Sequence, residues 1–486
     1  MEAMYMNILK RAFGVEHMLP KEMTANDLPS SSSMYSDYIR LAIPSVLEMV
    51  LISLIGMIDT IMVSNCGTDA VAAVGLVGQP RMLMLCIFFA MNVGITAVVA
   101  RRKGEGRKDD ANQVLRNMIL IIIALSVVLM AIVLPFAEPL MRFAGAEEGR
   151  TLKEATDYFV IVGVALPFNA LSMAICAAQR GVGNTKLTMY VNIFSNLVNV
   201  VFNWLLINGI GPFPEMKVQG AALATAIGMF VGFVLSIVSL FSGKKHDSFL
   251  QISLKDDWRI KKQPVLDVVK LSSSAMLEQI FMRIGFFSYA KIVANLGTDA
   301  FAAHQISMQF LNLSFCFADG LGVAGTSLVG QMLGRKRKDL SHIYGTIAQR
   351  FSFIVALILA SCCIALRGPL VSMFIKSTDG ETVRRLSEMI MIIVGIFQPF
   401  QMSAVVVSGA LRGAGDVKYT ARVMMLTVAI MRPVLAFIAV YILGTVLGKQ
   451  EIALIGCWSA ALIDMITRMV LMLKRYKGGK WHDIKV

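Results

Sequence analysis

Met118–Leu134 is a run of seventeen residues in which Ser126 is the only polar side chain. A helix needs about 20 apolar residues to cross roughly 30 Å of hydrocarbon. Runs of this kind recur from one end of the chain to the other. The composition agrees: of 486 residues 56% are hydrophobic and 16% charged, with a mean hydropathy of +0.67. Soluble chains carry about 25% charge, so a soluble enzyme, a disordered chain and a nucleic-acid binder are all excluded.

Breaking the chain at its charged and Gly/Pro-rich stretches predicts twelve spans. Their limits are about 38–63, 71–100, 117–141, 155–179, 187–208, 218–242, 269–295, 301–333, 343–374, 386–411, 423–446 and 452–473. An even number places both termini on one side. With that side cytoplasmic, it holds 29 of the 46 lysines and arginines and the outer loops hold eight. Such a bias is the positive-inside signal, and it accounts for the net charge of +14 without a nucleic-acid partner. The seven cysteines lie in or beside apolar runs with no Cys-x-x-Cys spacing. They read as reduced buried thiols, not a zinc site or a disulfide framework.

An internal repeat narrows the class further. A shift of 230 residues lays Glu48 on Glu278, Asp59 on Tyr289, Thr96 on Thr326 and the Gly67-Thr68-Asp69-Ala70 turn on Gly297-Thr298-Asp299-Ala300. A shift of 232 lays Arg180-Gly181-Val182-Gly183 on Arg412-Gly413-Ala414-Gly415. Six spans repeated once, in the same orientation, predict two six-helix bundles about an axis along the membrane normal, with a substrate path between them. The fold class expected is therefore an all-α integral membrane protein of twelve transmembrane helices in two parallel six-helix repeats. Its parts are a cytoplasmic N-terminal segment (1–37), an N-lobe (38–242), a basic cytoplasmic linker (243–268), a C-lobe (269–473) and a cytoplasmic tail (474–486).

Pro44 followed by Asp59-Thr60-Ile61-Met62-Val63, the duplicated Gly-Thr-Asp-Ala turn, Leu328-Val329-Gly330-Gln331-Met332-Leu333-Gly334, the two Arg-Gly-x-Gly turns and Gly220-Ala221-Ala222-Leu223-Ala224-Thr225 carry a resemblance. In order, spacing and duplication the chain resembles the multidrug and toxic compound extrusion (MATE) family over roughly residues 36–475. The resemblance implies a secondary efflux transporter that exports organic, often cationic, compounds in exchange for H⁺ or Na⁺.

Asp59 is the sharpest single signal. A carboxylate inside a span costs about 2.5–3.5 kcal/mol even on the lenient insertion scale. Its repeat mate is Tyr289, so the fold does not need an acid in both copies, and a coupling role is expected. In the fifth span Asn192, Asn196, Asn199 and Asn203 follow at offsets of 0, 4, 7 and 11, which puts them on one helix face. Asn199, Asn203 and Thr225 are expected to surround the coupling ion with Asp59. The resemblance implies an aspartate at the position of Asn203; asparagine there weakens the case for a Na⁺ site, since hard cations need anionic oxygen ligands. Protons are therefore the expected coupling ion, and no cofactor or metal is called for.

Glu48 and Glu278 are expected as substrate or gating groups, with Asn196, Arg283 and Gln401 as further candidates. Arg283 and Lys291 are candidate ion-pair partners for Glu278, in a lobe that also buries Asp319. Gln401 stands in the segment where some family members place a cation-binding acid. Arg180 and Arg412 read as helix stops, glycine taking the left-handed cap and arginine meeting the carbonyl ends. His304 reads as a hydrogen-bonded helix residue. The expected partners are the bilayer and small organic, lipophilic, cationic substrates, in a bacterial-type plasma membrane with a monomer as the working unit. The rivals are a lipid-linked saccharide flippase of the related superfamily and, from other classes, a channel or a membrane-embedded enzyme. No phosphate cradle or nucleophile–base constellation stands out.

Overall fold

The computed structural model describes residues 14–20, 27–242, 248–253, 255–375, 380–442 and 450–484. The expected N-terminal segment, basic linker and tail each lie partly outside the described residues. Among the described residues the chain is helical, with no strand. In chain order come α1 (Ser31–Ser64), α2 (Thr68–Gly104), α3 (Lys108–Val133), α4 (Ala137–Phe143), α5 (Arg150–Val164), α6 (Leu166–Gly181), α7 (Thr185–Asn208) and α8 (Lys217–Ser242). The second copy follows as α9 (Lys262–Ala294), α10 (Thr298–Gly334), α11 (Lys338–Ala365), α12 (Arg367–Ser372), α13 (Glu381–Gly413), α14 (Val417–Met424), α15 (Arg432–Ala439) and α16 (Gln450–Lys477). A π-helical stretch, Met425–Met431, joins α14 to α15.

Among the described residues ten spans are long and apolar enough to cross a membrane, counting α3 with α4 and α14 with α15 as single spans. An eleventh is the α5–α6 pair, bent by 49° where Pro167 at the start of α6 removes a backbone donor. The twelfth expected span, 269–295, falls in α9, whose 33 residues are ample. Lys270, Glu278, Arg283 and Lys291 make it polar; at the repeat positions in α1, Arg40 and Glu48 are charged too, but Ser53 and Ile61 stand for Arg283 and Lys291.

Two compact units divide the chain: an N-unit of Leu47–Met276, and a C-unit of Met1–Val46 with Leu277–Val486. The boundaries fall inside α1 and α9, 230 residues apart, the spacing of the repeat. Within each unit the repeated motifs do the same packing work. In the N-unit Thr96 Oγ1 donates to the Ala177 carbonyl at 3.0 Å, and a Cβ on Gly181 would stand 2.8 Å from the Thr96 oxygen. In the C-unit Thr326 Oγ1 donates to the Gly409 carbonyl at 2.8 Å, and Gly413 presses against the backbone of Thr326. The glycines let α2 meet α6, and α10 meet α13, backbone to backbone. Gly413→Val is therefore expected to lower the melting temperature of the purified protein, at a cost of at least the ~1–3 kcal/mol of an overpacked core. An unchanged melting curve would show that these helices separate without penalty.

The Arg-Gly-x-Gly turns do stop helices through glycine. Gly183 and Gly415 take φ of +84° and +91°, and Asn184 N and Asp416 N reach back to the Gln179 and Leu411 carbonyls, each at 2.8 Å. That is the left-handed cap. Part of the expected basic linker runs as a strap along α3. Asn112 Nδ2 donates to the Phe249 carbonyl, Gln113 Nε2 to that of Arg259 and Asn117 Nδ2 to that of Lys261, while Arg116 pairs with Asp256 at 3.1 Å.

Candidate functional site

Four residues singled out from sequence spacing lie together in the N-unit. Asp59, five residues before the end of α1, accepts a hydrogen bond from Asn203 Nδ2 of α7 at 2.8 Å. Asn199, one turn earlier on the same face, lies between Asp59 and Thr225 of α8. In one assignment of its amide, Nδ2 donates to Thr225 Oγ1 at 3.4 Å. With O and N exchanged, Nδ2 donates to the two carboxylate oxygens at 3.1 and 2.9 Å and Oδ1 accepts from Thr225 N at 3.1 Å. Asn199 and Asn203 are 6% and 1% exposed. The carboxylate is thus held by amides, and its partners sit about 140 residues away because α7 turns its asparagine stripe towards α1.

One group near Asp59 is absent from the residues that spacing and repeat single out. The charge of Arg81, on α2, acts on the Asp59 carboxylate, although no ion pair joins them among the described residues. Arg81 also lines an open crevice with Met84, Phe159, Asn169 and Met229. The sequence does carry a signal for it: a guanidinium inside a span is as costly as an acid there, and Arg81 follows Pro80 within the second span.

The other end of the stripe serves Glu48. Arg180 Nη1 and Asn192 Nδ2 donate to Glu48 Oε1 at 2.8 and 2.7 Å, and Thr188 Oγ1 donates to Oε2 at 2.9 Å. Asn196 Nδ2 donates to the Asn192 carbonyl at 2.7 Å, extending the stripe without touching either acid. Glu48 is 1% exposed. The C-unit repeats the pattern with the repeat-matched residues: Thr420 Oγ1 donates to Glu278 Oε2 at 2.9 Å, and Arg412 Nη1 lies 3.7 Å from Glu278 Oε1. Met424 stands where Asn192 does in the first copy, so the second network is looser.

Arg180 and Arg412 each reach the buried glutamate of their own unit, a carboxylate being a strong acceptor. Glu48 and Glu278 are buried and hydrogen-bonded inside their own units. Glu278 forms no ion pair with Arg283 or Lys291 among the described residues; Arg283 Nε is instead buried without a hydrogen-bond partner. Gln401 is fully buried with both amide atoms unpartnered. His304, expected to be hydrogen-bonded, lies between the rings of Tyr289 and Trp458, tilted to both, with Nδ1 unpartnered.

The geometry has clear likenesses among known proteins. A probable multidrug resistance protein NorM of Thermotoga maritima is 28% identical over 471 residues, 96% of each chain. The multidrug resistance protein NorM of Vibrio cholerae is 24% identical over 449 residues, 90% of this chain and 94% of that one. A crystal structure of a MATE protein in complex with MaL6 superposes with a TM-score of 0.84 over 92% of this chain and 97% of that one, at 21% identity, a likeness of fold. The MatE family profile matches residues 44–205 and 274–438, one segment in each copy of the repeat. Apolar helices in two repeated halves and a profile match across both halves lead to one conclusion: this chain belongs to the MatE family, a family of membrane transporters and not of enzymes.

Proposed function

We propose that the chain is an ion-coupled multidrug exporter working by alternating access, with Asp59 as the group that binds the coupling ion and H⁺ as that ion. The observation that carries this reading is the Asp59 carboxylate, held at membrane depth by Asn203 and Asn199 and, among the described residues, by no ion pair. A charged Asp59 accepts from both amides. Protonated, its O–H donates to Asn199 Oδ1 once that amide turns over and gives its N–H to Thr225. The same three side chains therefore satisfy both forms of the acid, at little cost in lost hydrogen bonds. A sodium ion fits the set less well. It would find one carboxylate, with amide N–H groups directed at its oxygens, where hard cations need several oxygen ligands.

The names of the Thermotoga and Vibrio relatives support organic drugs as cargo. Lipophilic cations are the expected class, given the methionine and aromatic surface along the spans. The reading places the chain in the plasma membrane with both termini in the cytoplasm.

Purified protein in liposomes tests the coupling. An imposed pH gradient in sodium-free buffer is expected to drive ethidium-like cations against their gradient. Movement driven by a sodium gradient and indifferent to pH would keep the site and reverse the ion. Topology has its own test: single cysteines placed in 101–116 or 255–262 are expected to react with impermeant thiol reagents only after the membrane is opened. Labelling of either loop in intact cells would overturn the orientation.

A further inference from the structure

The C-unit holds a second buried polar cluster, which the exporter reading does not use. Asp464 of α16 is fully buried between two guanidinium groups. Arg432 reaches it with Nε at 2.8 Å and Nη2 at 2.6 Å, and Arg468 with Nη2 at 2.9 and 2.8 Å from its two oxygens. Arg432 is also flanked by rings, its Cζ lying 5.0 Å from the centre of Phe286 and 5.8 Å from that of Tyr289. Two guanidinium groups against one carboxylate leave a positive charge where both arginines are 2% exposed. Glu278, paired with Arg412, acts on Arg468, and Asp319 acts on the Arg412–Glu278 pair, so three acids face three arginines overall. The excess is local to Arg432, whose ion-pair partner among the described residues, Asp464, is shared with Arg468.

Beside Arg432 stand three orphaned polar atoms. Tyr289 Oη, His304 Nδ1 and Trp458 Nε1 have no hydrogen-bond partner, on residues 3%, 3% and 1% exposed. The imidazole lies 5.6 Å from the Tyr289 ring and 5.5 Å from the Trp458 ring, so the three form one group. Arg432 itself follows directly on the π-helical stretch Met425–Met431, a local widening often found where a helix serves a site.

A buried guanidinium that must share its carboxylate and buried unpaired donors are each costly. One ligand answers both. We propose that the C-unit contains a binding site for a monovalent anion, a halide or a small carboxylate, with Arg432 supplying the charge and Trp458 Nε1 and Tyr289 Oη the hydrogen bonds. The indole N–H is a donor only, which selects an anion over a cation. The bound anion, Arg432, Asp464 and Arg468 then alternate in sign. Tyr289 is the repeat mate of Asp59, so the two units present opposite polarity at equivalent places: an acid among amides in one, a hydroxyl beside a guanidinium in the other.

The test uses the purified full-length protein in gluconate buffer, titrated with bromide at constant ionic strength. The expected result is a saturable rise in melting temperature, with saturable quenching of one of the four tryptophans above the linear collisional background. Trp458→Phe is expected to remove the saturable quenching. Tyr289→Phe is expected to raise the half-saturating bromide concentration about tenfold, the loss of one hydrogen bond to a charged ligand. Tyr289→Phe keeps ring and volume, Trp458→Phe keeps an aromatic ring at a smaller volume, and neither change touches the Arg432–Asp464–Arg468 row. Displacement of bromide by acetate would show that carboxylates share the site; bromide binding untouched by acetate would restrict it to halides. No saturable signal, or a thermal shift identical in the Trp458→Phe/Tyr289→Phe protein, would overturn the proposal.

Discussion

Asp59→Asn is expected to yield a folded, membrane-inserted protein that no longer exports cargo against a gradient. The stability effect should be small, on the order of 1 kcal/mol. An amide in place of the carboxyl still accepts from Asn203 Nδ2, 2.8 Å away, and still reaches Asn199. What disappears is the change of charge. An acid that alternates between two forms gives two energies to the two states of a transporter, and a ligand shifts such an equilibrium only by its differential affinity for them. Without titration there is no differential, so pH-driven accumulation in liposomes should fall to background while the melting temperature stays near that of the native protein. Full pH-driven export by Asp59→Asn would remove the coupling role from this residue. The companion change, Asn203→Asp, places a second carboxylate against the first and is expected to introduce or strengthen sodium dependence, since two acids can hold a hard cation that one cannot.

The largest expected stability effect lies in the C-unit. Asp464→Asn leaves the guanidinium groups of Arg432 and Arg468 facing each other, each 2% exposed, without the charge that separates them. Breaking a buried pair by removing one partner costs about 3–5 kcal/mol, against the ~5–15 kcal/mol that typically hold a domain folded. The variant should therefore show a sharply lower melting temperature and a poor yield of monodisperse protein. Replacing all three residues together, as Arg432→Met/Asp464→Leu/Arg468→Met, should recover most of the loss, because apolar substitution of a whole buried ionic group is often neutral or stabilising. If the single and triple variants melted alike, the ion row would not be what holds α15 to α16.

Both expectations depend on information of different kinds. Asp59 and its amides are legible in the sequence. An acid in an apolar run announces itself by its cost, and offsets of 4 and 7 between asparagines place them on one face because a helix repeats every 3.6 residues. Arg432 and Asp464 are legible there as charges but not as a pair. They sit 32 residues apart, on helices whose relative rotation no local period encodes. The same holds for Glu48, which the repeat marks out without disclosing its role: its partners Arg180, Thr188 and Asn192 lie 132 to 144 residues away.

By itself, then, the sequence determined the helical class, the spans, their duplication and the carboxylate proposed as the coupling group. These follow from hydropathy and helical period, which each residue imposes on its immediate neighbours. Only the tertiary structure decided which charges meet: Arg180 with Glu48, and Asp464 between two arginines. Such pairings depend on the rotation and height of one helix against another. Those are set by backbone contacts such as Gly181 on Thr96 and Gly413 on Thr326, between residues too far apart along the chain for any sequence period to relate.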